Sequence, residues 1–510
     1  LPADPLWQNI DEIPAMPANA RNGIRPTKFK AFALNATALR STLSGAPMQF
    51  SAQPPQAAGL EISLPQPDGS LARFQVEEVA LMEPGLAAKF PGFKTYRGRG
   101  LDDPMASLHL DVNPWTFHAQ VLSPSGTYYV DPYWQHDGSV YMSYAKSDLS
   151  AGGRQFKCLV DDASAKQDGQ LAATAVTAPA APAATTNTQS GRNLRTYRLA
   201  CATSIMYSQY HGGADPDVAK VLAALVTMNN RVSGVYETEL GIRMVLVANQ
   251  EAIIATSTNP TPYTDTPGDI GTNPAYIDQK IGPDNYDIGH VVTTGSGGIA
   301  GLGVVCRGLN VQSGGSAKAR GTTGINPPEG DGFWIDFVAH EMGHQFGGNH
   351  TFDGTGTNCG TNQNESTAYE PGSGTTIQAY AGICGDQNIQ PHSDPYFHFI
   401  SLVEMFGFAS SGAAPRPPEI NQARTAAIQA PSGPDANPGS GTLNPIPGSS
   451  LTWTGTAAGG AAPDEAACIE GVNCDTFVLT IGGTPADWQE KTARITFTWP
   501  NAVDDYDIYV

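Results

Sequence analysis

The sequence DFVAHEMGHQFGGNH occupies residues 336–350 of a 510-residue chain and contains three histidines. His340 and His344 lie four residues apart, so both imidazoles project from one face of an α-helix and can reach one metal ion. Gly347 allows a left-handed turn that ends the helix and lets His350 reach the same ion. Three neutral imidazoles with one open position are typical of a catalytic zinc site.

Glu341 follows the first of these histidines and lies beside the ion, where it is the candidate general base. Histidine is scarce, with 10 in 510 residues. A chance HExxH match is therefore expected in about one such chain in a hundred. The additional Gly347 and His350 lower that chance by a factor of roughly a thousand. An ordinary helix that carries two histidines is the weaker interpretation.

The complete pattern HExxHxxGxxH is the signature of the metzincin metalloproteases. The segment HEMGHQFGGNHTF most resembles the bacterial reprolysin-like, or adamalysin-like, branch, and the resemblance extends over about residues 195–408. It implies a catalytic domain of the α/β class, with a mixed twisted sheet and a long active-site helix. It also implies Zn²⁺ as the cofactor and proteins or peptides as substrates.

The segment TTIQAYAG, residues 375–382, is similar to the Met-turn that lies beneath the zinc ion in metzincins. It departs from the family because Gln378 stands at the methionine position. A second departure is Thr351, where venom-type reprolysins have an aspartate. Tyr380 matches a tyrosine that can contact zinc or the oxyanion in the related astacins and serralysins. A core tyrosine beneath the site is the alternative interpretation.

A glycine-rich run at residues 295–305 is similar to the edge strand that lies above the zinc cleft in reprolysin-like enzymes. An unpaired edge can hold a peptide by strand addition, and glycines let its backbone approach closely. A phosphate-binding loop is the weaker alternative, because no Lys-Ser/Thr pair follows. The predicted substrate-binding residues are Ile299, Ala300, Gly301, Leu302 and Gly303.

Composition limits the class of protein and its partners. The net charge of −20 argues against nucleic acid or an anionic membrane as a partner. The sequence contains no apolar run of the roughly 18 residues that a membrane helix needs. Because the chain begins with Leu1, we expect that a secretion signal has already been removed.

Length and composition predict several domains. Alternating strand-like stretches separated by turn residues predict a mostly β domain at the N-terminus. Ala/Pro-rich segments predict linkers, of which the first is protease-accessible. The predicted boundaries are a β-rich prodomain at 1–165, a cleavable linker at 166–193, the protease domain at 194–410, a second linker at 411–450 and a C-terminal β-sandwich, expected to be truncated, at 451–510.

Seven cysteines leave one unpaired if the others form disulfides. Six cysteines allow 15 pairings. Proximity within the predicted domains favours Cys201–Cys306, Cys359–Cys384 and Cys468–Cys474. Three disulfides predict an oxidising location, and we therefore expect the protein to be secreted.

The remaining cysteine, Cys158, ends the predicted prodomain. A thiolate binds zinc well, so we predict that Cys158 occupies the fourth zinc position as a cysteine switch. Matrixins and many reprolysins use this device. An inert or intermolecularly paired cysteine is the alternative. The switch predicts that the full-length chain is inactive and that a cut in the linker activates it.

Together these features predict a secreted zinc endopeptidase kept latent by its own prodomain. One alternative is a zinc hydrolase of a non-protein substrate, since a motif defines a chemistry better than a substrate. A degenerate, non-catalytic binding protein is another, suggested by Gln378. Near the C-terminus, Asp504, Asp505 and Asp507 are interpreted as an acidic turn, with a Ca²⁺ site as the alternative.

Overall fold

The structure, a computed structural model, describes residues 5–17, 20–50, 60–149, 157–159, 193–310, 313–356, 358–360, 362–410, 422–423, 440–443 and 478–481. The chain divides into two compact units, Leu1–Arg424 and Thr425–Val510. The first unit contains the β-rich N-terminal domain and the α/β domain that was predicted to be the protease and is called the protease domain below.

The N-terminal domain is an antiparallel sheet of ten strands in the order β1-β3-β10-β9-β8-β7-β6-β5-β4, with β2 beside β9. The strands are β1 (Trp7–Ile10), β2 (Arg21–Asn22), β3 (Lys30–Leu34), β4 (Leu60–Pro65), β5 (Leu71–Val79), β6 (Lys94–Gly100), β7 (Ser107–Val112), β8 (Phe117–Leu122), β9 (Tyr128–Gln135) and β10 (Asp137–Ala145). Two helices accompany them, α1 (Ala36–Leu43) and α2 (Pro84–Lys89). The predicted β-rich character of this region is confirmed.

Alternation of side chains explains how this sheet forms its own core. In β5, Phe74 and Val76 are buried, whereas the residue between them is only partly buried. Successive side chains of a strand point to opposite faces, so these two residues share one face. Leu39 and Leu43 of α1 pack in the same apolar cluster.

The protease domain is a mixed sheet covered by helices. Its strands are β11 (Asn193–Thr203), β12 (Ile242–Leu246), β13 (Ile288–Thr293), β14 (Gly297–Ala300), β15 (Leu309–Asn310), β16 (Gly315–Ser316), β17 (Gly321–Gly324) and β18 (Gln422–Ala423). The main sheet has the order β12-β11-β13-β17-β14. Its first four strands are parallel and β14 is antiparallel, as the predicted α/β class requires.

The helices of this domain, among the residues that the structure describes, are α3 (Ile205–Gly212), α4 (Val218–Leu240), α5 (Asp269–Lys280), α6 at residues 331–345 and α7 (Phe399–Ser410). Asp217 caps α4, because its side chain accepts a hydrogen bond from the Ala219 amide, and the left-handed Gly241 ends it. One side of α4 packs on β12 and the other on β7 of the N-terminal sheet. No described helix, α4 included, is long and apolar enough to cross a membrane.

Buried ion pairs join the N-terminal sheet to α4. The Arg97 guanidinium lies 2.8 Å from the Glu237 carboxylate, and Arg231 pairs with Asp131. All four side chains are at most 2% exposed. Removal of one partner from such a pair lowers the free energy of unfolding by about 3–5 kcal/mol, because the other charge stays buried and uncompensated. The two predicted domains therefore pack as one compact unit.

N-terminal residues also cover both edges of the main protease sheet. The segment 81–83 exchanges backbone hydrogen bonds of 2.9 and 2.8 Å with Leu246 in the edge strand β12. The segment 157–159 exchanges bonds of 3.0 and 2.9 Å with Gly298 in the opposite edge strand β14. Neither edge is thus left open to intermolecular strand pairing at these positions.

The active-site helix α6 is less regular than predicted. Its segments are α-helical at Asp331–Phe333, π-helical at Trp334–Ala339 and α-helical at His340–Gln345. A π segment widens the helix and is frequent at functional sites. The final α-helical turns keep the four-residue spacing on which the metal prediction depends. Gly347, with φ of +94°, ends the helix as predicted.

Two segments of the predicted linker at 411–450 are strands. One is β18, which pairs with β11 of the protease domain. The other, β19 (Ser440–Leu443), pairs in parallel with β20 (Val478–Ile481) in the second compact unit. The predicted β-sandwich stays a prediction. The predicted Cys468–Cys474 disulfide and the acidic turn at Asp504, Asp505 and Asp507 lie outside the described residues.

Candidate metal centre

Three histidine side chains converge at the end of α6. The Nε2 atom of His344 lies 3.1 Å from Nε2 of His340 and 3.1 Å from Nε2 of His350. All three residues are at most 3% exposed. The helical spacing brings the first two together, and the left-handed Gly347 turns the chain so that the third joins them.

The second nitrogen of each ring fixes the tautomer. The Nδ1 atoms of His340, His344 and His350 each lie 2.7 Å from a backbone carbonyl oxygen, which can only accept a hydrogen bond. Each Nδ1 therefore carries the proton, and each Nε2 presents a lone pair. Burial lowers the pKa of all three imidazoles, to about 4 for His340, which keeps them neutral.

Cys158 supplies a fourth donor to this cluster. Its Sγ lies 3.5 Å from His350 Nε2 and 3.8 Å from His344 Nε2, and the four donor atoms lie within 4.8 Å of one another. Tetrahedral zinc, with bonds of about 2.1 Å to nitrogen and 2.3 Å to sulfur, places its donors roughly 3.3–3.6 Å apart. Converging lone pairs at these separations fit a zinc ion, because a cation relieves their mutual repulsion.

The backbone on both sides of Cys158 is held at the sheet edge. Gly298 N donates to the Lys157 carbonyl at 3.0 Å, and Leu159 N donates to the Gly298 carbonyl at 2.9 Å. The side-chain amide of Asn362 donates a hydrogen bond to the Cys158 carbonyl at 2.8 Å. The backbone carbonyl of Asn362 accepts the proton of His350 Nδ1. The segment 157–159 is therefore an added strand that carries the thiol to the histidines.

Glu341 is fully buried beside the same cluster. Burial raises the pKa of its carboxyl to about 8, and the neighbouring Cys158 thiol partly opposes this shift. A bound dication would also oppose it. A Cβ atom at position 298 would overlap the Glu341 carboxylate. Glycine is therefore required at Gly298, the edge residue that faces the candidate base.

The five residues predicted to bind the substrate do not all lie in strand β14. Only Ile299 and Ala300 of the five predicted residues belong to strand β14, which ends at Ala300. The Gly303 amide donates to the His344 carbonyl at 2.9 Å, so it is not available to a substrate strand. Gly301 and Leu302 follow the strand, and the Gly301 amide donates to the Arg320 carbonyl at 2.9 Å. The residue that pairs with an added strand is Gly298.

Tyr380 lies at the cluster. Its ring centroid is 4.8 Å from that of His350 and 5.8 Å from that of His340. Its hydroxyl accepts a hydrogen bond from Asn362 Nδ2 at 3.1 Å and lies 3.4 Å from the Cys158 carbonyl oxygen. The structure thus brings Tyr380 to the segment 157–159 as well as to the histidine rings.

Gln378 forms the floor of the site. Its amide nitrogen lies 3.3 Å from the Gly348 carbonyl, the same acceptor that receives the His344 Nδ1 proton. Its side chain packs where a Cβ on Gly343 would be, and it is fully buried. Gln378 therefore supports the histidine ring through a shared acceptor, although methionine is the family residue.

We expect Gln378→Met to change the melting temperature by only a few degrees and to leave zinc content unchanged. The substitution removes one hydrogen bond, worth about 0.5–1.5 kcal/mol, but also the cost of burying an amide. Differential scanning calorimetry and metal analysis measure both quantities. A large fall in melting temperature would show that the bond to Gly348 is specific and that the site floor depends on it.

We expect His350→Ala in the full chain to weaken zinc binding by more than about 100-fold, since even the loss of an outer hydrogen-bond partner costs 10- to 100-fold. Competition with a chelator measures the affinity. His398, a half-buried histidine outside the cluster, provides the control substitution His398→Ala. Unchanged zinc affinity in the His350→Ala chain would exclude this residue as a ligand.

One predicted disulfide of the protease domain is confirmed, and the other is wrong. The Cys359–Cys384 disulfide is present, with the two Cα atoms 5.4 Å apart. The predicted Cys201–Cys306 disulfide is wrong, because both residues are free thiols. Cys201 pairs with His290 in the sheet. The Cys306 amide instead donates a hydrogen bond to the carbonyl of Asp287, which lies three residues before His290 in the chain. Three residues of strand span about 10 Å, beyond the roughly 7 Å between Cα atoms that a disulfide allows.

Local sequence patterns do not mark two residues of the site, Asn362 and Gly298. Asn362 lies 12 residues after His350 in a polar loop without periodicity, so no local pattern marks it. Gly298 belongs to the glycine-rich run, and that richness was the only signal available. Both residues form hydrogen bonds with backbone groups that are distant in the sequence, and short motifs do not describe such contacts.

A family model of reprolysin-like metallopeptidases of family M12B matches residues 193–405. The solved structure of metalloproteinase-II from Bacteroides fragilis is similar at 12% identity and a TM-score of 0.37, over 68% of this chain and 90% of that one. No curated protein sequence matches. The match identifies residues 193–405 as similar to the reprolysin-like metallopeptidases, a branch of the metzincins.

Proposed function

We propose that the protein is a secreted zinc endopeptidase, synthesised as a latent precursor whose N-terminal domain inhibits it. The match of residues 193–405 to family M12B supports zinc-dependent peptide hydrolysis. The observation that carries the rest is the convergence of three imidazole lone pairs and the Cys158 sulfur beside the buried carboxyl of Glu341.

His340, His344 and His350 would hold the ion. When bound, zinc lowers the pKa of water and polarises the scissile carbonyl group. Glu341 takes the proton from the attacking water and passes it to the leaving amine. Its buried position beside the histidines suits both steps, because a carboxylate held there can accept a proton and release it again.

The edge strand β14 aligns the substrate. Gly298 offers an amide and a carbonyl that the segment 157–159 occupies in the latent chain. A substrate would take the same backbone hydrogen bonds once that segment leaves. Such pairing would place an extended peptide beside Glu341, because the Glu341 carboxylate packs directly against Gly298, where there is no Cβ.

Latency rests on the same segment. Its thiol would fill the fourth zinc position and so exclude water from the ion. The backbone of this segment occupies the edge of β14 where a substrate would pair, and Asn362 donates a hydrogen bond to the carbonyl of Cys158. The inhibitory segment therefore blocks both the ion and the substrate strand.

If the N-terminal domain leaves, two buried charges of the protease domain, those of Arg231 and Glu237, still have oppositely charged partners. Arg231 also pairs with Asp331 at 2.7 Å, and Glu237 also pairs with Arg243 at 2.8 Å. All four of these residues belong to the protease domain. They keep an internal partner after the domain departs, which supports residues 1–165 as a removable prodomain and residues 166–193 as the cleavable linker.

Secretion is supported by the Cys359–Cys384 disulfide, since such bonds persist in oxidising compartments. The negative net charge is consistent with a soluble extracellular protein that has peptide substrates and no nucleic-acid partner.

The test uses the purified full chain. We expect one zinc ion per chain, no hydrolysis of casein before cleavage in the linker, and chelator-sensitive hydrolysis afterwards. Zinc binding without hydrolysis of casein or of small amides would indicate a non-catalytic binding protein. Hydrolysis of non-peptide amides but not of casein would indicate a hydrolase with another substrate.

A further inference from the structure

The Glu370 carboxylate lies between two segments that support the metal centre, and the residue is only 7% exposed. Its Oε1 accepts hydrogen bonds from the backbone amides of Thr375 and Thr376, at 2.8 and 3.1 Å. Its Oε2 accepts hydrogen bonds from the hydroxyls of Thr351 and Thr376. A carboxylate has about four acceptor sites, so these donors saturate it. The side chain therefore ties residue 351 to the turn at 375–376.

The backbone of this turn is shaped to hold a carboxylate. Gly374 has a φ of +64°, and a Cβ on it would lie 2.9 Å from the Cβ of Glu370. The next two amides then face one oxygen, and successive backbone N–H groups in a turn form a concave site for anions. Hydrogen bonds to an ionised group are also roughly twice as strong as those between neutral groups. The contacts of Glu370 are therefore among the stronger polar contacts near the site.

The first of the two segments carries the third histidine of the cluster. Thr351 follows His350, and the carbonyl of Thr351 accepts a hydrogen bond from the Glu370 amide at 2.8 Å. The Thr367 hydroxyl donates to the His350 carbonyl at 2.6 Å. Residues 367–370 therefore hold the backbone of His350 at two points, in addition to the bond between the Thr351 hydroxyl and the Glu370 carboxylate.

The second segment orients the first histidine of the cluster. Thr376 is followed by Ile377, whose carbonyl accepts the proton of His340 Nδ1 at 2.7 Å. Both the amide and the hydroxyl of Thr376 are bonded to the Glu370 carboxylate. One side chain thus connects the backbone of one cluster histidine to the carbonyl that orients another.

We propose that Glu370 is a positioning residue of the metal centre, whose carboxylate fixes the His350 backbone relative to the carbonyl that orients His340 and thereby sets the zinc affinity. Glu370 acts through these bonds and does not bind the ion, since it lies outside the cluster of four donors. Loss of one hydrogen-bond partner behind a metal ligand typically lowers metal affinity by about 10- to 100-fold. The inference rests on the proposed function, because it takes zinc as the ion that the histidines bind.

A side chain that only stabilised the fold would behave differently. Its loss would lower the melting temperature, yet the folded chain would bind zinc as before. Loss of a positioning residue changes the direction of the imidazole lone pairs, so it changes metal affinity at temperatures where the chain is folded. Zinc affinity and the visible absorption of the Co²⁺-substituted chain therefore distinguish the two roles.

The first test compares Glu370→Gln with the wild type in the full, uncut chain. Glutamine keeps the size of the side chain, but it removes the charge and replaces one acceptor oxygen by a donor. We expect zinc affinity, measured by competition with a chelator, to fall by about 10- to 100-fold and the visible bands of bound Co²⁺ to shift. Unchanged affinity, with or without a lower melting temperature, would overturn the inference.

Asp269→Asn is the matched control. Asp269, in the first turn of α5, is 1% exposed and accepts hydrogen bonds from the Thr264 amide, the Thr264 hydroxyl and the Thr266 amide. It is a buried carboxylate with the same kinds of donor, but these threonines are not adjacent to a cluster histidine in the chain. The control should lower the melting temperature and keep wild-type zinc affinity. An equal loss of affinity in the control would attribute the effect to general destabilisation and overturn the inference.

Thr351→Val tests the bond to the His350 segment alone, and it decides the question if Glu370→Gln does not fold. Valine resembles threonine in shape but lacks the hydroxyl, so the carboxylate keeps its bonds to the turn at 375–376. We expect roughly 10-fold weaker zinc binding. Thr264→Val, which removes the equivalent hydroxyl from Asp269, should bind zinc normally. Wild-type affinity in Thr351→Val would overturn the inference, whereas a wild-type chain that binds no zinc would refute the proposed function.

Discussion

Glu341→Gln is expected to lower kcat for peptide hydrolysis by about 10²- to 10⁴-fold, the usual contribution of a general acid–base residue. Glutamine matches glutamate in size, so the buried space beside Gly298 stays filled. It cannot accept and return a proton, whereas the three imidazoles that hold zinc are untouched. The activated protein should therefore retain one zinc ion per chain while hydrolysis nearly disappears.

Glu251→Gln provides the matched control, because Glu251 forms a surface ion pair with Lys89 outside the metal centre. That variant should hydrolyse peptides at the wild-type rate. Near wild-type activity in Glu341→Gln would remove Glu341 from the mechanism. Loss of zinc from the same variant would show that its carboxylate is needed for metal binding instead.

Cys158→Ser is expected to make the uncut chain hydrolyse peptides and cleave itself, whereas the uncut wild-type chain stays inert. A serine hydroxyl remains protonated at neutral pH and does not replace a thiolate on zinc. The backbone bonds of segment 157–159 to Gly298 and Asn362 remain in the variant. Each is worth about 0.5–1.5 kcal/mol, so the uncut variant should be slower than the cut wild-type enzyme.

Cys306→Ser is the control for the loss of a free thiol, because Cys306 is free and lies outside the metal cluster. It should remain latent until the linker is cut. Self-cleavage is followed by gel electrophoresis of freshly purified chains. A Cys158→Ser chain as inert as the wild type would show that the thiol does not maintain latency.

Local patterns predicted much of this molecule. The spacing of His340, His344 and His350, with Gly347 between them, predicted the cluster that the structure assembles. Alternating stretches predicted the N-terminal strands, and apolar runs predicted β12 and β13. These inferences succeeded because helix and strand periodicities relate neighbouring residues directly. The π-helical turn before His340 has no such local signal.

Pairings between distant segments were predicted less well. The Cys201–Cys306 disulfide failed because both cysteines belong to one domain but lie at different levels of the sheet. The ion pair between Arg231 and Asp131 joins residues 100 positions apart, and composition does not identify such partners. That pair and its neighbours join the N-terminal domain and the protease domain in one compact unit.

The sequence by itself determined the metal chemistry, the candidate base and the class of the protease domain, because residue type and short-range spacing specify them. It also singled out Cys158, through an odd number of cysteines. Only the tertiary structure placed that thiol beside His344, 186 residues away, on the strand edge that substrates would use. It alone brought Lys146 to Asp336, since contacts between separate domains depend on how whole surfaces pack.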